Sequence, residues 1–383
     1  MSAIYLDYAA TSPVHKEVAD EIYRAMTEDW ANPSAIYKAG REVKAKIQEV
    51  RRKIAEKINA ESPDNILFTS GGSEGNNMII QGFLKYYPNA NVITSPVEHK
   101  SIMECCKAMC KNLRILPLNN NGIVNLSELE NYLKYKSNLE PTLVVVQLVN
   151  NETGIVQPIA HISKLVRKYN AYLFTDAVQA FPHIPINLYA LNVDFLSVSG
   201  HKFGCPKGIG FIYAKWYSLI EPLIYGSQEH KLRGGTENVP YILGMGKAIE
   251  ILDYHIDNEC SDILIDKLKQ IGCRINGGEG RVTNIISCTL PEGTVGSAVI
   301  ELLNIKNIFV SGGSACNASS GEPSYVLRAM GMPDDEIVRT IRISYGKITT
   351  EEINVFIEEL LQAINLSNII GNKGGNYKCQ EIG

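Results

Sequence analysis

The sequence predicts an α/β protein with a large domain on a mostly parallel seven-stranded sheet and a smaller α+β domain. One observation is a series of short, nearly continuous apolar runs between about Asn65 and Ala214, separated by segments of helix length. Such strands belong to parallel sheets that helices cover on both faces. The other is the length of 383 residues, which is more than one core usually takes.

The seven runs are, in chain order, ILFTS, NVITSP, LRILPL, TLVVVQLV, AYLFTDA, DFLSVSG and GIGFIYA. The helices predicted among them are Glu74 to Tyr86, Lys100 to Lys111, Leu126 to Tyr135 and Ile159 to Tyr169. Amphipathic segments that alternate with buried strands in this way indicate crossover helices on the faces of the sheet.

The pattern changes after a helical connector that runs from about Thr236 to Asp257. Strands such as TNIISCTL and TIRISYG then stand among helices, which indicates the α+β domain. We expect an N-terminal arm at 1–13, a large domain at 14–255 and a small domain at 256–368. Gly and Asn replace periodic apolar residues after that, so a flexible tail is expected at 369–383.

Composition and charge exclude several classes of protein. The formal net charge is −4 and no dense basic run occurs, so we expect no direct nucleic-acid ligand. The start MSAIYLDYAATSP has no signal-peptide pattern, and no run of 18 apolar residues occurs, so we expect a cytoplasmic protein without a membrane segment. The nine cysteines are irregularly spaced and odd in number, which is typical of reduced thiols.

A cysteine cluster is the one pattern that suggests a metal. Cys105, Cys106 and Cys110 lie close together in the sequence but lack a second pair of ligands. Packing in a helix is the favoured interpretation, because a free cysteine behaves as a small apolar residue. No metal site is therefore predicted.

Polar residues follow three of the predicted strands, at the edge where open α/β sheets bind ligands. Ser70 to Ser73 lead from ILFTS into a helix, whose N-terminus attracts phosphate, although a purely structural turn explains this segment equally well. Asp176 ends AYLFTDA and either caps the local structure or faces a pyridinium nitrogen. Lysine is the only residue type in SGHKFGCPKG whose side chain forms an imine, and Lys202 lies in the turn directly after a buried strand. A turn lysine is usually only a solubilising charge, but the three features in this order favour a pyridoxal phosphate site.

Three further residues are candidates for the reaction. His99 follows NVITSP and is placed either to stack on the cofactor ring and carry a proton, or only to begin a helix. Arg342 suits the two oxygens of a substrate carboxylate, with a salt bridge as the alternative. Cys316 lies in SGGSACNASSGEPS, without apolar neighbours, which favours a reactive thiol over a packing residue. A thiol of ordinary pKa is mostly protonated at neutral pH, so the site or the substrate must activate it.

A long set of motifs runs along nearly the whole chain. In order, they are YLDYAATSPV, ANPSAIYKAG, FTSGGSEGNN, EHKSI, VNNETGIVQPI, TDAVQA, SGHKFGCPKGIG, GSQEHKLRGGTEN, SGGSACNASSGEPSYVLRAMG and IRISYG. Together they resemble the NifS/IscS-like cysteine desulfurases, class V aminotransferases among the fold-type I pyridoxal phosphate enzymes. The chain departs from the family at Tyr37, Ser73 and Cys205, where the family often has His, Thr and Tyr. Ser73 keeps the hydroxyl group.

The resemblance implies roles for residues at the matching positions. Lys202 would be the Schiff-base lysine, Asp176 the partner of the pyridinium nitrogen, and His99 the stacking acid and base. Asn151 and Gln179 would lie beside the ring hydroxyl.

The resemblance also implies the phosphate and substrate contacts. The residues that would hold the cofactor phosphate are Gly72, Ser73, Ser199 and His201. Thr236 would reach the phosphate of a neighbouring subunit, which implies a homodimer. The residues that would handle the substrate carboxylate are Asn32, Asn151 and Arg342.

The implied activity is removal of sulfur from L-cysteine, which leaves L-alanine and a persulfide on Cys316. The persulfide sulfur would pass to an acceptor such as an iron–sulfur scaffold or a thiol carrier, for cluster assembly or for tRNA or cofactor thiolation. A class V aminotransferase is one alternative, since it needs Lys202 and Asp176 but not Cys316. A selenocysteine lyase is another, and a non-enzymatic scaffold would require chemical groups to be missing.

Overall fold

The computed structural model describes residues 3–136, 140–254, 258–312 and 323–374. The strands are β1 (Ile4–Tyr5), β2 (Ile66–Thr69), β3 (Asn91–Thr94), β4 (Asn112–Ile115), β5 (Thr142–Val145), β6 (Tyr172–Asp176), β7 (Phe195–Ser199), β8 (Gly210–Ala214), β9 (Arg274–Asn276), β10 (Ile285–Thr289), β11 (Ile308–Phe309) and β12 (Thr340–Ser344). The α-helices are α1 (Lys16–Glu28), α2 (Lys38–Ile58), α3 (Gly72–Tyr86), α4 (Lys100–Met109), α5 (Leu126–Lys136), α6 (Ile159–Lys168), α7 (Leu188–Leu191), α8 (Val239–Ile251), α9 (Asn258–Gln270), α10 (Gly296–Ile305), α11 (Tyr325–Ala329), α12 (Asp334–Ile337) and α13 (Thr350–Gly374).

The chain forms two compact units, a large one of residues 11–150 and 156–254 and a small one of residues 1–10, 151–155 and 255–383. The segment 151–155, which the sequence-based bounds place in the large domain, packs with the small unit. Gly154 shows why, because a Cβ there would lie 2.8 Å from the carbonyl oxygen of Ile285. The N-terminal strand β1 joins the small unit by parallel pairing with β11.

The large unit contains the predicted seven-stranded sheet, in the order β2-β8-β7-β6-β5-β3-β4. Neighbours from β7 to β4 are parallel, while β8 is antiparallel to both β7 and β2. Residues of β3, β5, β7 and β8 are buried at every position, as near-continuous apolar strands require. The carboxyl ends of β2, β3, β5, β6 and β7 therefore meet along one edge of the sheet.

The four helices predicted between the strands, α3 to α6, begin and end close to the predicted residues, with one difference that matters for the site. α3 begins at Gly72 rather than at Glu74, because the Gly-Gly turn already takes helical geometry at its second residue. Cys105 and Cys106 of α4 pack in the apolar core. The connector predicted from about Thr236 to Asp257 is shorter in the structure, where α8 begins at Val239 and ends at Ile251.

The small unit is built on an antiparallel sheet in the order β12-β10-β9, with α9, α10 and α13 packed around its apolar core. α13 continues to Gly374, so residues 369–374, which the sequence assigns to a flexible tail, are helical. Isolated Gly and Asn residues cost a helix only about 1 kcal/mol or less each, and the helix runs through them. No helix in the described part of the chain is long and apolar enough to cross a membrane.

The small unit also fixes the residues on either side of 313–322. The backbone of Ser311 pairs with that of Arg342, with an N–H donated in each direction at 3.2 and 2.7 Å. Ser324 begins α11, and its hydroxyl donates to Glu152 Oε2 at 2.5 Å while accepting from Leu327 N at 3.1 Å. Both ends of this stretch are therefore hydrogen-bonded within the small unit.

Candidate active site

The turn between β2 and α3 is closely packed, and it leaves the N-terminus of α3 without a side-chain cap. Gly71 has φ of 151°, a conformation that favours glycine. A Cβ on Gly72 would lie 2.7 Å from Val178 Cγ2, and one on Gly210 would lie 2.7 Å from Gly71 Cα. No side chain caps α3, so its first N–H groups are open to an anion at the positive end of the helix dipole. Ser73, in the first turn of α3, is exposed.

Ser199 and the turn that follows it lie beside the glycine turn. Ser199 ends β7, is buried, and its Oγ would be 3.4 Å from a Cβ on Gly71. His201 and Lys202 follow in a short 3-10 helix and are half-buried. The carbonyl of His201 accepts from Ser12 N at 2.8 Å and from Ser12 Oγ at 3.0 Å, so the backbone beside Lys202 is fixed.

His201 is neutral at physiological pH. Burial lowers its pKa to about 4, and the positive charges of Lys202 and Lys207 act in the same direction. Its Nδ1 lies 3.2 Å from Thr11 Oγ1. A neutral imidazole has one N–H to donate to an anion without carrying charge itself.

Asp176 stands at the carboxyl end of β6 with both oxygens held. Its Oδ2 accepts from Asn76 Nδ2 at 2.9 Å, and its Oδ1 accepts from Val178 N at 2.8 Å. The residue is 6% exposed, and Gln179, three positions on, is 5% exposed. The carboxylate is therefore oriented by its neighbours before any ligand binds.

His99 is the residue before α4, and its ring lies within the electrostatic reach of Asp176 and Lys202. Burial lowers the pKa of His99, the negative charge of Asp176 opposes this, and the positive charges of Lys202 and Lys100 add to it. Ser101 N donates to His99 Nδ1 at 3.1 Å. A lysine, a carboxylate and an imidazole thus gather at the carboxyl edge of the sheet next to the glycine turn.

Arg342 and Asn151 belong to the small unit and contact each other. Arg342 lies in β12 and is 2% exposed. Its Nη1 donates to the carbonyl of Asn151 at 3.0 Å, and its Nη2 pairs with Asp7 Oδ1 at 2.7 Å. Among the described residues, nothing accepts from its buried Nε. The fork is therefore only partly used by its contacts within the small unit.

The other predicted residues have different surroundings. Asn32 is exposed, and its Oδ1 accepts from Ser34 N at 2.9 Å, which stabilises a tight turn. Thr236 is exposed and lines a pocket of about 160 Å³ together with Ser70 and Arg233. Cys316 lies outside the described residues.

Two departures from the family pattern have a clear structural setting. Tyr37 is 53% exposed and precedes α2. Cys205 is 1% exposed, and burial raises the pKa of its thiol, so it is an unreactive packing residue.

Comparison with known proteins decides the family. The model of the aminotransferase class-V family matches residues 4–356. The chain belongs to this family. It is 40% identical over 376 residues to a protein named cysteine desulfurase IscS from Dictyoglomus turgidum, with 94% of each chain covered. This class V aminotransferase homologue is also similar to a NifS-like protein of known structure from Rickettsia africae, with 32% identity, a TM-score of 0.83, and 95% and 99% of the two chains covered. A structure of SspA in complex with cysteine matches with 33% identity, a TM-score of 0.79, and 90% and 99% coverage.

Class V aminotransferases use pyridoxal 5′-phosphate, and the residues of the large unit fit this cofactor. The glycine turn is closely packed, since a Cβ at Gly72 would lie 2.7 Å from Val178 Cγ2, and α3 offers N–H groups for a phosphate. Asp176 supplies a buried carboxylate, and Lys202 an amine, at the ends of the neighbouring strands β6 and β7. The enzyme is therefore dependent on this cofactor.

Sequence reasoning missed three residues around His99 and Asp176. Asn76 lies four residues after Gly72 on α3. Residues at this spacing share one face of a helix, so the sequence could have placed Asn76 beside the glycine turn. Ser101 lies two residues after His99 in the first turn of α4. Glu98, directly before His99, is fully buried, which no local pattern indicates for a charged residue.

Proposed function

We propose that the protein is a cysteine desulfurase, which converts L-cysteine to L-alanine and carries the sulfur as a persulfide on Cys316. The grouping of Lys202, Asp176 and His99 beside the glycine turn supports the cofactor chemistry of this proposal. It is supported by the 40% identity to a protein named cysteine desulfurase over 94% of the chain.

When bound, pyridoxal 5′-phosphate supplies an electron sink that makes the Cα–H bond of an amino acid acidic. Lys202 would hold the cofactor covalently through its ε-amino group. The carboxylate of Asp176, oriented by Asn76 and the Val178 amide, would face the ring nitrogen and favour its protonated form. Gln179 and Asn151 would lie near the ring hydroxyl.

The phosphate would bind where hydrogen-bond donors converge. The contributing residues are Gly72, Ser73, Ser199 and His201. His201 is neutral, so it would donate one N–H and leave the charge balance to the helix dipole. Thr236 would complete the phosphate site of a neighbouring subunit, and on this basis the enzyme is a homodimer.

Substrate binding would use groups that recognise a carboxylate. Arg342 would turn its fork to the carboxylate of L-cysteine, since its Nε has no acceptor among the described residues. Asn151 and Asn32 would assist. Lys202 or His99 would then move the Cα proton, since each has a nitrogen that can accept a proton and give it back.

Cys316 would then accept the sulfur atom of the substrate. Its thiolate attacks the substrate sulfur, the new S–S bond forms, and the substrate C–S bond breaks. The electron pair of that bond stays with the carbon, which takes up a proton on the way to L-alanine. The persulfide sulfur then moves to the thiol of an acceptor, which we propose to be an iron–sulfur scaffold or a thiol carrier protein.

The test follows three products together: purified enzyme is incubated with L-cysteine while alanine, sulfide and the mass of the Cys316 peptide are measured. Cys316→Ser should keep the cofactor absorption band but should form neither persulfide nor sulfide. Cys110→Ser is a matched control at a half-buried cysteine, and it should leave the absorption band and both sulfur products unchanged. Lys202→Ala should lose the absorption band. Normal desulfuration by Cys316→Ser would overturn the assignment of the nucleophile.

The same assay separates the alternatives. Transfer of an amino group from alanine or serine to a keto acid, without sulfide release, would indicate an aminotransferase. Release of selenium from L-selenocysteine, with L-cysteine left untouched, would indicate a selenocysteine lyase.

A further inference from the structure

A chain of hydrogen bonds connects Asp176 to His99 inside the large unit. Asn76 Nδ2 donates to Asp176 Oδ2 at 2.9 Å and to Ser101 Oγ at 2.9 Å. Ser101 Oγ lies 2.8 Å from His99 Nδ1. Two residues without an assigned role, Asn76 and Ser101, therefore bridge the carboxylate and the imidazole.

The direction of each bond follows from the donors that are available. Ser197 Oγ donates to Asn76 Oδ1 at 2.5 Å, which fixes the amide so that both Nδ2 protons point to Asp176 and Ser101. Because the Ser101 hydroxyl oxygen accepts one of these protons, its own proton is directed to His99 Nδ1. The backbone N–H of Ser101, which can only donate, points to the same nitrogen at 3.1 Å.

Burial makes this arrangement hard to replace by water. Asn76 is 1% exposed and Ser197 is 0% exposed, so an unmade bond there would leave a buried polar group unsatisfied. His99 Nδ1 receives two donors from Ser101 and must therefore keep its lone pair. A neutral imidazole carries one proton, which leaves Nε2 as the nitrogen that holds it.

We propose that Asn76 and Ser101 are positioning residues that set the tautomer of His99, so that its proton is held on Nε2, and that couple this ring to Asp176. The proposal rests on the proposed function in that it takes His99 to act at the cofactor. His99 then presents an N–H to its ligand and accepts a second proton only by displacing the donors of Ser101.

Several charged groups act on this ring and must be considered together. Asp176 acts from the end of β6, Lys202 from the turn after β7, and Lys100 from the start of α4. Glu98, the residue before His99, interacts with Asp176. These charged groups stay in place in a variant at position 101. A changed tautomer or pH profile in that variant therefore reports on the hydrogen bonds through Ser101.

The experiment compares Ser101→Ala with Ser101→Thr, which keeps a hydroxyl, in the cofactor-loaded enzyme. Nitrogen-15 NMR of labelled histidine, with His99→Gln to assign the signal, reports which ring nitrogen holds the proton. Ser163→Ala is the control, because Ser163 also donates a buried hydroxyl, to the carbonyl of Asn192 at 2.8 Å. The pH profile of kcat/KM with L-cysteine is measured for each variant.

In the wild-type enzyme we expect the proton on Nε2. Ser101→Ala removes one donor from Nδ1, so protonation becomes easier and the acidic limb of the profile should move to higher pH. Its kcat/KM at neutral pH should fall about three- to tenfold, the effect of one hydrogen bond. Ser101→Thr and Ser163→Ala should leave the profile in place.

Asn76→Ala gives a second, independent reading. Combined with Ser101→Ala it should cost little more than Asn76→Ala alone, because Asn76→Ala already removes the donor to the Ser101 hydroxyl in addition to one donor to Asp176. A proton on Nδ1 in the wild type, or an unmoved profile in Ser101→Ala, would overturn the proposal. If the wild type shows the Nε2 tautomer but the His99→Gln variant keeps full activity, the role of His99 in the proposed function is refuted instead.

Discussion

Replacing Glu98 by glutamine should remove a loss of stability that the wild-type protein suffers as pH rises from about 4.5 to 8. Glu98 is 0% exposed, and its oxygens accept from Ser95 Oγ at 2.5 Å and from Gln147 N at 2.8 Å. Burial raises its pKa from 4.5 to about 8, and the negative charge of Asp176 acts in the same direction, while the two donors oppose it. The carboxyl therefore stays protonated in the folded protein where the unfolded chain has lost the proton.

Proton linkage gives the direction and the size of the effect of Glu98 on the free energy of unfolding. Between these two pKa values the folded state binds one more proton than the unfolded state, so the free energy of unfolding falls as pH rises. The stabilising contribution of the protonated Glu98 is fully present below pH 4.5 and is lost as the pH rises to about 8. The interval corresponds to about 5 kcal/mol at most. A glutamine cannot ionise, while its oxygen can still accept from Gln147 N.

The assay is urea unfolding of the cofactor-saturated protein at pH 5 and at pH 8.5, for the wild type and Glu98→Gln. The stability of the variant relative to the wild type should increase by a few kcal/mol between the two pH values. Glu104→Gln, at an exposed position on α4, is the control and should show no such increase. A relative stability that is the same at both pH values, or that rises on acidification, would refute the reasoning.

Three further predictions concern the glycine turn, the substrate site and a strained turn. Gly210→Ala would place a Cβ 2.7 Å from Gly71 Cα and 2.6 Å from the Val198 carbonyl, so cofactor affinity, measured by absorption titration, should fall at least about tenfold. Arg342→Lys loses the planar fork, so KM for L-cysteine should rise about ten- to a hundredfold, with kcat less affected, in steady-state kinetics. Lys231 has φ of 69° within a run of left-handed residues, so Lys231→Gly should raise stability by about 1 kcal/mol in thermal unfolding, and a drop would show that the turn is not strained.

The fold of the large unit could be predicted because its strands carry their own signal. All seven apolar runs became strands of one sheet, and the four helices predicted between them each differ from prediction by one or two residues at one end. The predicted connector, from about Thr236 to Asp257, is helical only as α8 (Val239–Ile251). The antiparallel direction of β8 could not be predicted, because the connection after Lys202 is short and its apolar run looks like that of a parallel strand. The two-residue strands β1 and β11 were missed because they are too short to show a period.

Part of the site could be predicted from the sequence, because Asp176, His99 and Lys202 lie at or just after the ends of strands. Their roles stay predictions, but the structure shows His99 within electrostatic reach of both Asp176 and Lys202 in one unit. Glu98 and Asn76 could not be read, since their importance comes from contacts with residues 49 and 100 positions away, respectively. Such contacts depend on strand order, which no local pattern encodes.

The hydrogen-bonded residues on either side of 313–322 would limit the sulfur delivery proposed for Cys316. Gly312 follows Ser311, whose backbone is paired with Arg342, and Pro323 precedes Ser324, which is bound to Glu152. Cys316 comes four residues after Gly312 in the chain, so its Cα stays within about 14 Å of that anchor, whatever path the chain takes. In the proposed function, an acceptor thiol would therefore have to come within reach of a persulfide on Cys316, which extends only one side chain and one sulfur beyond this Cα.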